Sequence, residues 1–117
     1  LEDVGEQTYR IERMLYELYL AGVFKNQQAI VFGSFSGTGE DSYDKRFDVA
    51  TVVLQLHKLT GLPIYNGMRF GHIAQKASFP LGATCEIKPN TIGGYQLSFA
   101  DYPTIKANAV NVKGLWD

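Results

Sequence analysis

Apolar residues recur at helical spacing early in the chain, at Ile11, Met14, Leu15 and Leu18, and the pattern runs out at Gly22-Val23. That period predicts an amphipathic helix of about three turns. Thr8 stands where its hydroxyl can accept a hydrogen bond from an orphan N–H of the first turn. Gly22 suits a left-handed stop. Arg10, Arg13 and Glu17 fall on the opposite face and are expected in solvent. Ala29-Ile30-Val31-Phe32 is a continuous apolar run ended by Gly33, which predicts a buried strand of the kind parallel sheets use. Residues 33–46 are rich in Gly, Ser and Asp and predict a long loop. A second helix starts at Phe47 or Asp48, with Val49, Val52, Val53, Leu56 and Leu59 on one face. Gly61 ends it and Pro63 prevents its resumption.

Pro63-Ile64-Tyr65-Asn66 predicts a further short strand, so helix followed by strand occurs twice, the α/β pattern. After His72 the period changes to two. Ala83-Thr84-Cys85-Glu86-Ile87 and Tyr95-Gln96-Leu97-Ser98-Phe99 alternate, and turn residues link them, which predicts an antiparallel pair. The tail from Tyr102 to Asp117 carries little pattern, and no repeat or low-complexity segment is present. The expected fold is α/β: a small parallel or mixed sheet, two main helices and an antiparallel strand pair, in one domain spanning residues 1–117.

Composition narrows the function classes. Of 117 residues, 45% are hydrophobic and 20% charged, as in an ordinary soluble domain able to bury a core. A formal net charge of -1 gives no footprint for nucleic acid or an anionic membrane, and neither is an expected partner. A single cysteine, Cys85, precludes an internal disulfide; as a small apolar residue in a strand it is expected to be buried. No apolar run approaches the length of a membrane span, and no stretch reads as a signal peptide. The first residue is Leu, which fits a piece of a longer protein.

Two familiar motifs are excluded by their spacing. Gly33-Ser34-Phe35-Ser36-Gly37 places Phe35 where a nucleophile elbow needs serine. It also lacks the Lys and Ser or Thr that a phosphate-binding loop carries after its last glycine. The two histidines, His57 and His72, are far apart and form no ligand-spaced pair, so neither a metal nor another cofactor is expected. His57 lies off the apolar face of the second helix and is expected at the surface.

His72 differs. It follows a predicted strand and a turn containing Gly67 and Gly71, and ligands of α/β sheets gather beyond the carboxyl ends of strands. It is a candidate general base. Glu2, read as lying at the end of another strand, is a candidate orienter. No nucleophile to accompany them is evident in the chain. By itself this pattern is met more often by a structural histidine than by a catalytic one.

Several segments, in order and spacing, resemble the C-terminal domain of the LD-carboxypeptidases, or muramoyl-tetrapeptide carboxypeptidases. They are Leu1-Glu2-Asp3, Tyr9 to Leu15 with Leu18 and Ala21-Gly22, Ala29 to Gly37, Gly61-Leu62-Pro63-Ile64, Gly67, Phe70-Gly71-His72 and Phe79-Pro80-Leu81-Gly82-Ala83. The resemblance extends to about Phe99. It implies a swivelling β/β/α domain from a bacterial two-domain serine peptidase with a Ser-Glu-His triad. The glutamate falls on Glu2 and the histidine on His72, Glu6 being a nearby competitor outside the motif. The serine belongs to the N-terminal nucleophile domain of the same protein, absent here, so the chain alone is expected to be inactive.

The implied reaction is metal-free removal of the terminal D-alanine from murein tetrapeptides, in cytoplasmic cell-wall recycling. Serine needs a neighbouring base to become a nucleophile, imidazole can accept and return the proton, and a carboxylate on the other ring nitrogen fixes the tautomer. The family also contains microcin-immunity peptidases, a first alternative. A non-enzymatic binding domain, with His72 merely structural, is a second. The oligomeric state is open, a homodimer included.

Overall fold

The computed structural model of the chain describes residues 1–38 and 46–104. The rest of the expected 33–46 loop, and most of the expected tail, lie outside the described residues. The chain forms two compact units, Leu1–Ala77 and the segment from Ser78 onward.

In the first unit the elements run β1 (Asp3–Val4), α1 (Thr8–Leu20), β2 (Ile30–Val31), β3 (Phe35–Ser36), α2 (Val49–Thr60) and β4 (Ile64–Tyr65). β1 pairs with β3 and β2 with β4, both parallel. Segment 30–36 carries both pairings and is the middle of the arrangement. On one side Ile30 N–H donates to the Pro63 carbonyl (3.0 Å) and Phe32 N–H to that of Tyr65 (2.7 Å). On the other side Asp3 N–H donates to the Ser34 carbonyl (3.2 Å) and Gly5 N–H to that of Ser36 (2.8 Å). The crossovers through α1 and α2 step the same way across these strands, so a common hand puts both helices on one face. They pack against each other there.

The core lies under that face. Ile11 and Leu15 of α1, Val52 and Leu56 of α2, and Ile30, Phe32 and Phe24 are its buried hydrophobics. Strand alternation explains why Ile30 and Phe32 are inside while Val31 and Gly33 look the other way. Each large aliphatic side chain fully buried here contributes about 1.5–3 kcal/mol.

Two local expectations are corrected. Thr8 is not the cap of α1: the N-cap is Gln7, which makes no side-chain capping bond, and Thr8 is a buried first helical residue. Gly22, by contrast, is the left-handed stop expected: α1 ends at Leu20 with Ala21 as its C-cap, and Gly22 follows at φ 76°, its N–H donating to the Tyr19 carbonyl (3.0 Å) and that of Val23 to the Leu18 carbonyl (3.0 Å). Phe35–Ser36, placed in a loop by composition, is strand because backbone bonds to the chain start hold it there.

α2 follows its signals. Asp48 is the N-cap, accepting from the Thr51 N–H (2.8 Å) and hydroxyl (2.9 Å), and Gly61 closes the other end by donating to the His57 carbonyl (2.8 Å). The Leu59 side of the apolar stripe reaches the surface. No helix among the described residues is long and apolar enough to cross a membrane.

The second unit contains β5 (Thr84–Pro89) and β6 (Tyr95–Ala100), paired antiparallel with Cys85 opposite Phe99. The Asn90 carboxamide oxygen accepts from the N–H groups of Ile92 (3.2 Å) and Gly94 (2.6 Å), which shapes the turn. Phe79 stacks on Phe99 at 5.8 Å. Cys85 is exposed, correcting the expected burial: a two-stranded ribbon has too little cover to enclose it.

The hydrogen bonds from Thr51 hold the Asp48 carboxyl below its usual range. A carboxyl depressed by folding stabilises the folded state above its unfolded pKa, and that contribution is lost as pH falls through the folded value. Asp48→Asn keeps a capping oxygen that does not titrate. The native protein should therefore be the more stable of the two at neutral pH, and the difference should shrink as acid protonates Asp48. Thermal unfolding of both across the acid range measures it.

Candidate active site

Glu2 and His72, 70 positions apart, are joined: His72 Nδ1 lies 3.1 Å from Glu2 Oε2. A carboxylate only accepts, so Nδ1 carries the proton and donates; in the neutral ring this leaves the Nε2 lone pair for a second partner. The His72 side chain is 66% exposed and that of Glu2 23%. The carboxylate is thus sheltered while the imidazole faces outward.

The local sequence explains how the two meet. The chain does not turn away after β4 but continues beside segment 30–36: Met68 N–H donates to the Phe32 carbonyl (3.1 Å), and Ser34 N–H to that of Phe70 (2.8 Å). On the opposite side Gly33 N–H donates to the Leu1 carbonyl (2.8 Å). Glu2 and Gly71 therefore flank the middle segment at the level of Gly33, on the face turned away from the core. A side chain at Gly33 would stand between them. Its Cβ would lie 2.5 Å from the Phe70 carbonyl oxygen and 3.4 Å from Glu2 Cβ. Glu2 precedes β1 and is not at the carboxyl end of a strand, so that part of the sequence argument is corrected. The pairing across Gly33, not a shared strand-end rim, brings it to His72.

The other candidates fall elsewhere. Glu6, the competitor of Glu2, is tied to Arg10 one turn along α1 in an ion pair that holds the guanidinium above its usual range. Ser34 and Ser36 lie on the middle segment, and among the described residues neither hydroxyl is hydrogen-bonded to His72. His57 is at the surface, as expected, but its Nδ1 is 2.7 Å from the Leu62 carbonyl and secures the turn after α2. It also lines an apolar groove of about 730 Å³ with Phe35, Val53 and Tyr65, a groove that includes neither Glu2 nor His72. No three of His, Cys, Asp or Glu cluster as a metal site among the described residues.

Comparison with known proteins matches residues 1–87 to the LD-carboxypeptidase C-terminal domain. The chain belongs to this family. It is 30% identical over 96 residues to the murein tetrapeptide carboxypeptidase of Pseudomonas aeruginosa, covering 79% of this chain and 29% of that protein. A solved structure, the muramoyltetrapeptide carboxypeptidase of Oxalobacter formigenes, superposes with a TM-score of 0.80 at 35% identity, covering 87% of this chain and 35% of that one. The chain thus spans about a third or less of the length of these relatives. As a domain of the LD-carboxypeptidase family it has the α/β fold expected, with two helices, short parallel pairings and an antiparallel pair.

Sequence reasoning singled out Glu2 and His72 as candidates, which the structure brings together, but missed Gly33 as the residue that lets them approach. The signal was the abrupt end of the apolar run at Gly33, read only as the end of a strand. Gly33→Ala should destabilise the protein by about 1–3 kcal/mol, the usual cost of forcing atoms into a packed site. The obstruction is a backbone carbonyl and cannot swing aside. Chemical denaturation of the two proteins checks this, and a loss below about 0.5 kcal/mol would contradict the close approach.

Proposed function

We propose that this chain is the Glu- and His-bearing domain of a serine-type LD-carboxypeptidase, its nucleophilic serine supplied by a domain of the same protein outside these 117 residues. The complete protein would release the terminal D-alanine from murein tetrapeptides during cytoplasmic cell-wall recycling. The observation that carries the reading is the Glu2–His72 hydrogen bond at 3.1 Å, formed in a member of this family. The names of the relatives give the substrate class.

In this reading His72 Nε2 takes the proton from the serine hydroxyl as its oxygen attacks the scissile carbonyl. The imidazolium then returns that proton to the departing amine of D-alanine. Water, deprotonated by the same nitrogen, attacks the acyl carbonyl; the bond to serine breaks, the imidazolium returns the proton to the serine oxygen, and the shortened peptide leaves. Glu2 holds the ring with its proton on Nδ1 and stabilises the imidazolium. The exposed Nε2 side is what a domain carrying the serine would need to reach.

Turnover by the complete protein tests this. His72→Ala should abolish release of D-alanine with little change in melting temperature, because an exposed side chain leaves no cavity. Glu2→Gln should lose on the order of 10²–10⁴-fold in turnover, and the double variant should be little worse than His72→Ala, since such residues act as a unit. Near-normal turnover by folded His72→Ala would leave the histidine structural. Cleavage of a different amide, with tetrapeptide untouched, would move the chain to the microcin-immunity branch.

The 117-residue chain alone should release no D-alanine. A fluorophosphonate should label the complete protein at a serine outside this chain. Activity of the isolated chain that depends on Ser34 or Ser36 would refute the divided site.

A further inference from the structure

Gly71 has a backbone φ of 118°, a conformation L side chains rarely adopt, and it immediately precedes His72. A Cβ built there would lie 2.9 Å from Glu2 Oε2, 3.2 Å from Glu2 Cβ and 3.4 Å from Glu2 Cγ. The nearest of these atoms is the oxygen that lies 3.1 Å from His72 Nδ1. Its collision partner is therefore the movable end of a side chain, unlike the fixed carbonyl that opposes Gly33. Adding a methyl group would be relieved by swinging the carboxylate away, and the carboxylate cannot move without stretching its bond to the imidazole. The place on the backbone that a side chain would occupy is the place the functional oxygen fills.

We propose that Gly71 is a positioning residue for the Glu2–His72 pair, its missing side chain providing the seat for the Glu2 carboxylate. The inference rests on the catalytic reading of that pair, and it deepens it: Gly71 touches no substrate and acts through Glu2. A merely structural Gly71, needed for its backbone angle alone, makes a different prediction. The strain of placing alanine at this φ, and its 3.2 Å contact with the Cβ of residue 2, are present whether or not residue 2 has a carboxylate, whereas competition with the carboxylate vanishes when the Glu2 side chain is cut back to alanine.

The test is a double-mutant cycle in the complete protein, with Gly71→Ala, Glu2→Ala and the pair together. Gly71→Ala should lower kcat on the order of 10²–10⁴-fold, as expected for loss of an orienting carboxylate, with KM changed by less than about threefold. In the Glu2→Ala background the same substitution should cost less than about threefold further, because its target is gone. Equal losses in both backgrounds would overturn the proposal, as would a Gly71→Ala protein that unfolds both with and without the Glu2 side chain.

A second readout does not depend on turnover. In protein labelled with ¹⁵N-histidine, the hydrogen-bonded Nδ1–H resonance of His72 should be present in the native protein and lost in folded Gly71→Ala. Its persistence there would overturn the seat. If Glu2→Ala and His72→Ala were instead fully active, the proposed function would fail, while this resonance would still decide whether Gly71 seats the carboxylate.

Discussion

The middle segment 30–36 is bonded through its backbone on both sides, and the rest of the first unit depends on that. At Gly33 the chain donates toward Leu1, and one residue later, at Ser34, it donates the other way, toward Phe70. These two bonds, at 2.8 Å each, bring the start of the chain and the loop after β4 to a common level. The helices contribute the core that fixes the segment's orientation. Ile30 and Phe32 are anchored against α1 and α2, so the residues between and beyond them are committed to the other face.

The site follows from this arrangement with little further machinery. Glu2 is held by a strand that is only two residues long by regular pairing, and His72 by an irregular loop. Neither element would be rigid alone. Both are tethered to the same segment, and the tether is made of main-chain bonds that a change of side chain does not readily remove. An added side chain at either glycine facing Glu2 would meet it, with Glu2 Cβ 3.4 Å from a Cβ at Gly33 and 3.2 Å from one at Gly71. The sheltered carboxylate and open imidazole reproduce, in one domain, the asymmetry that a base and its orienter require: one group kept in place, the other left accessible.

What could be read in the sequence tracks what local rules determine. α2 was legible because three independent signals coincide: Asp48 at its start, the stripe through Val52 and Leu56, and Gly61 at its end. The hairpin was legible from period-two alternation. β3 was not, because a two-residue strand shows no period and its partner is some thirty residues upstream, in backbone bonds that leave no trace in side-chain type. Thr8 misled because a capping residue and a buried first helical residue share the same position relative to the apolar stripe. Cys85 misled because burial belongs to the surroundings, not to the residue. Glu2 and His72 were legible as motif residues, and their proximity was expected for the wrong geometric reason. The role of Gly33 required knowing what crosses above it.

The 70-residue span between Glu2 and His72 also bears on when the site can exist during folding. The two helices can form from local contacts within microseconds, but a contact closing so long a loop must await the ordering of everything that brings its ends together. The entropy of that closure grows only slowly with length, so the delay is set by the sequence of pairings and not by the span itself. The tautomer of His72 is therefore fixed only after the first segment has docked beside residues 33–36. A chain still emerging or partly unfolded carries both side chains and no working pair. Formation of the pair is coupled to completion of the fold.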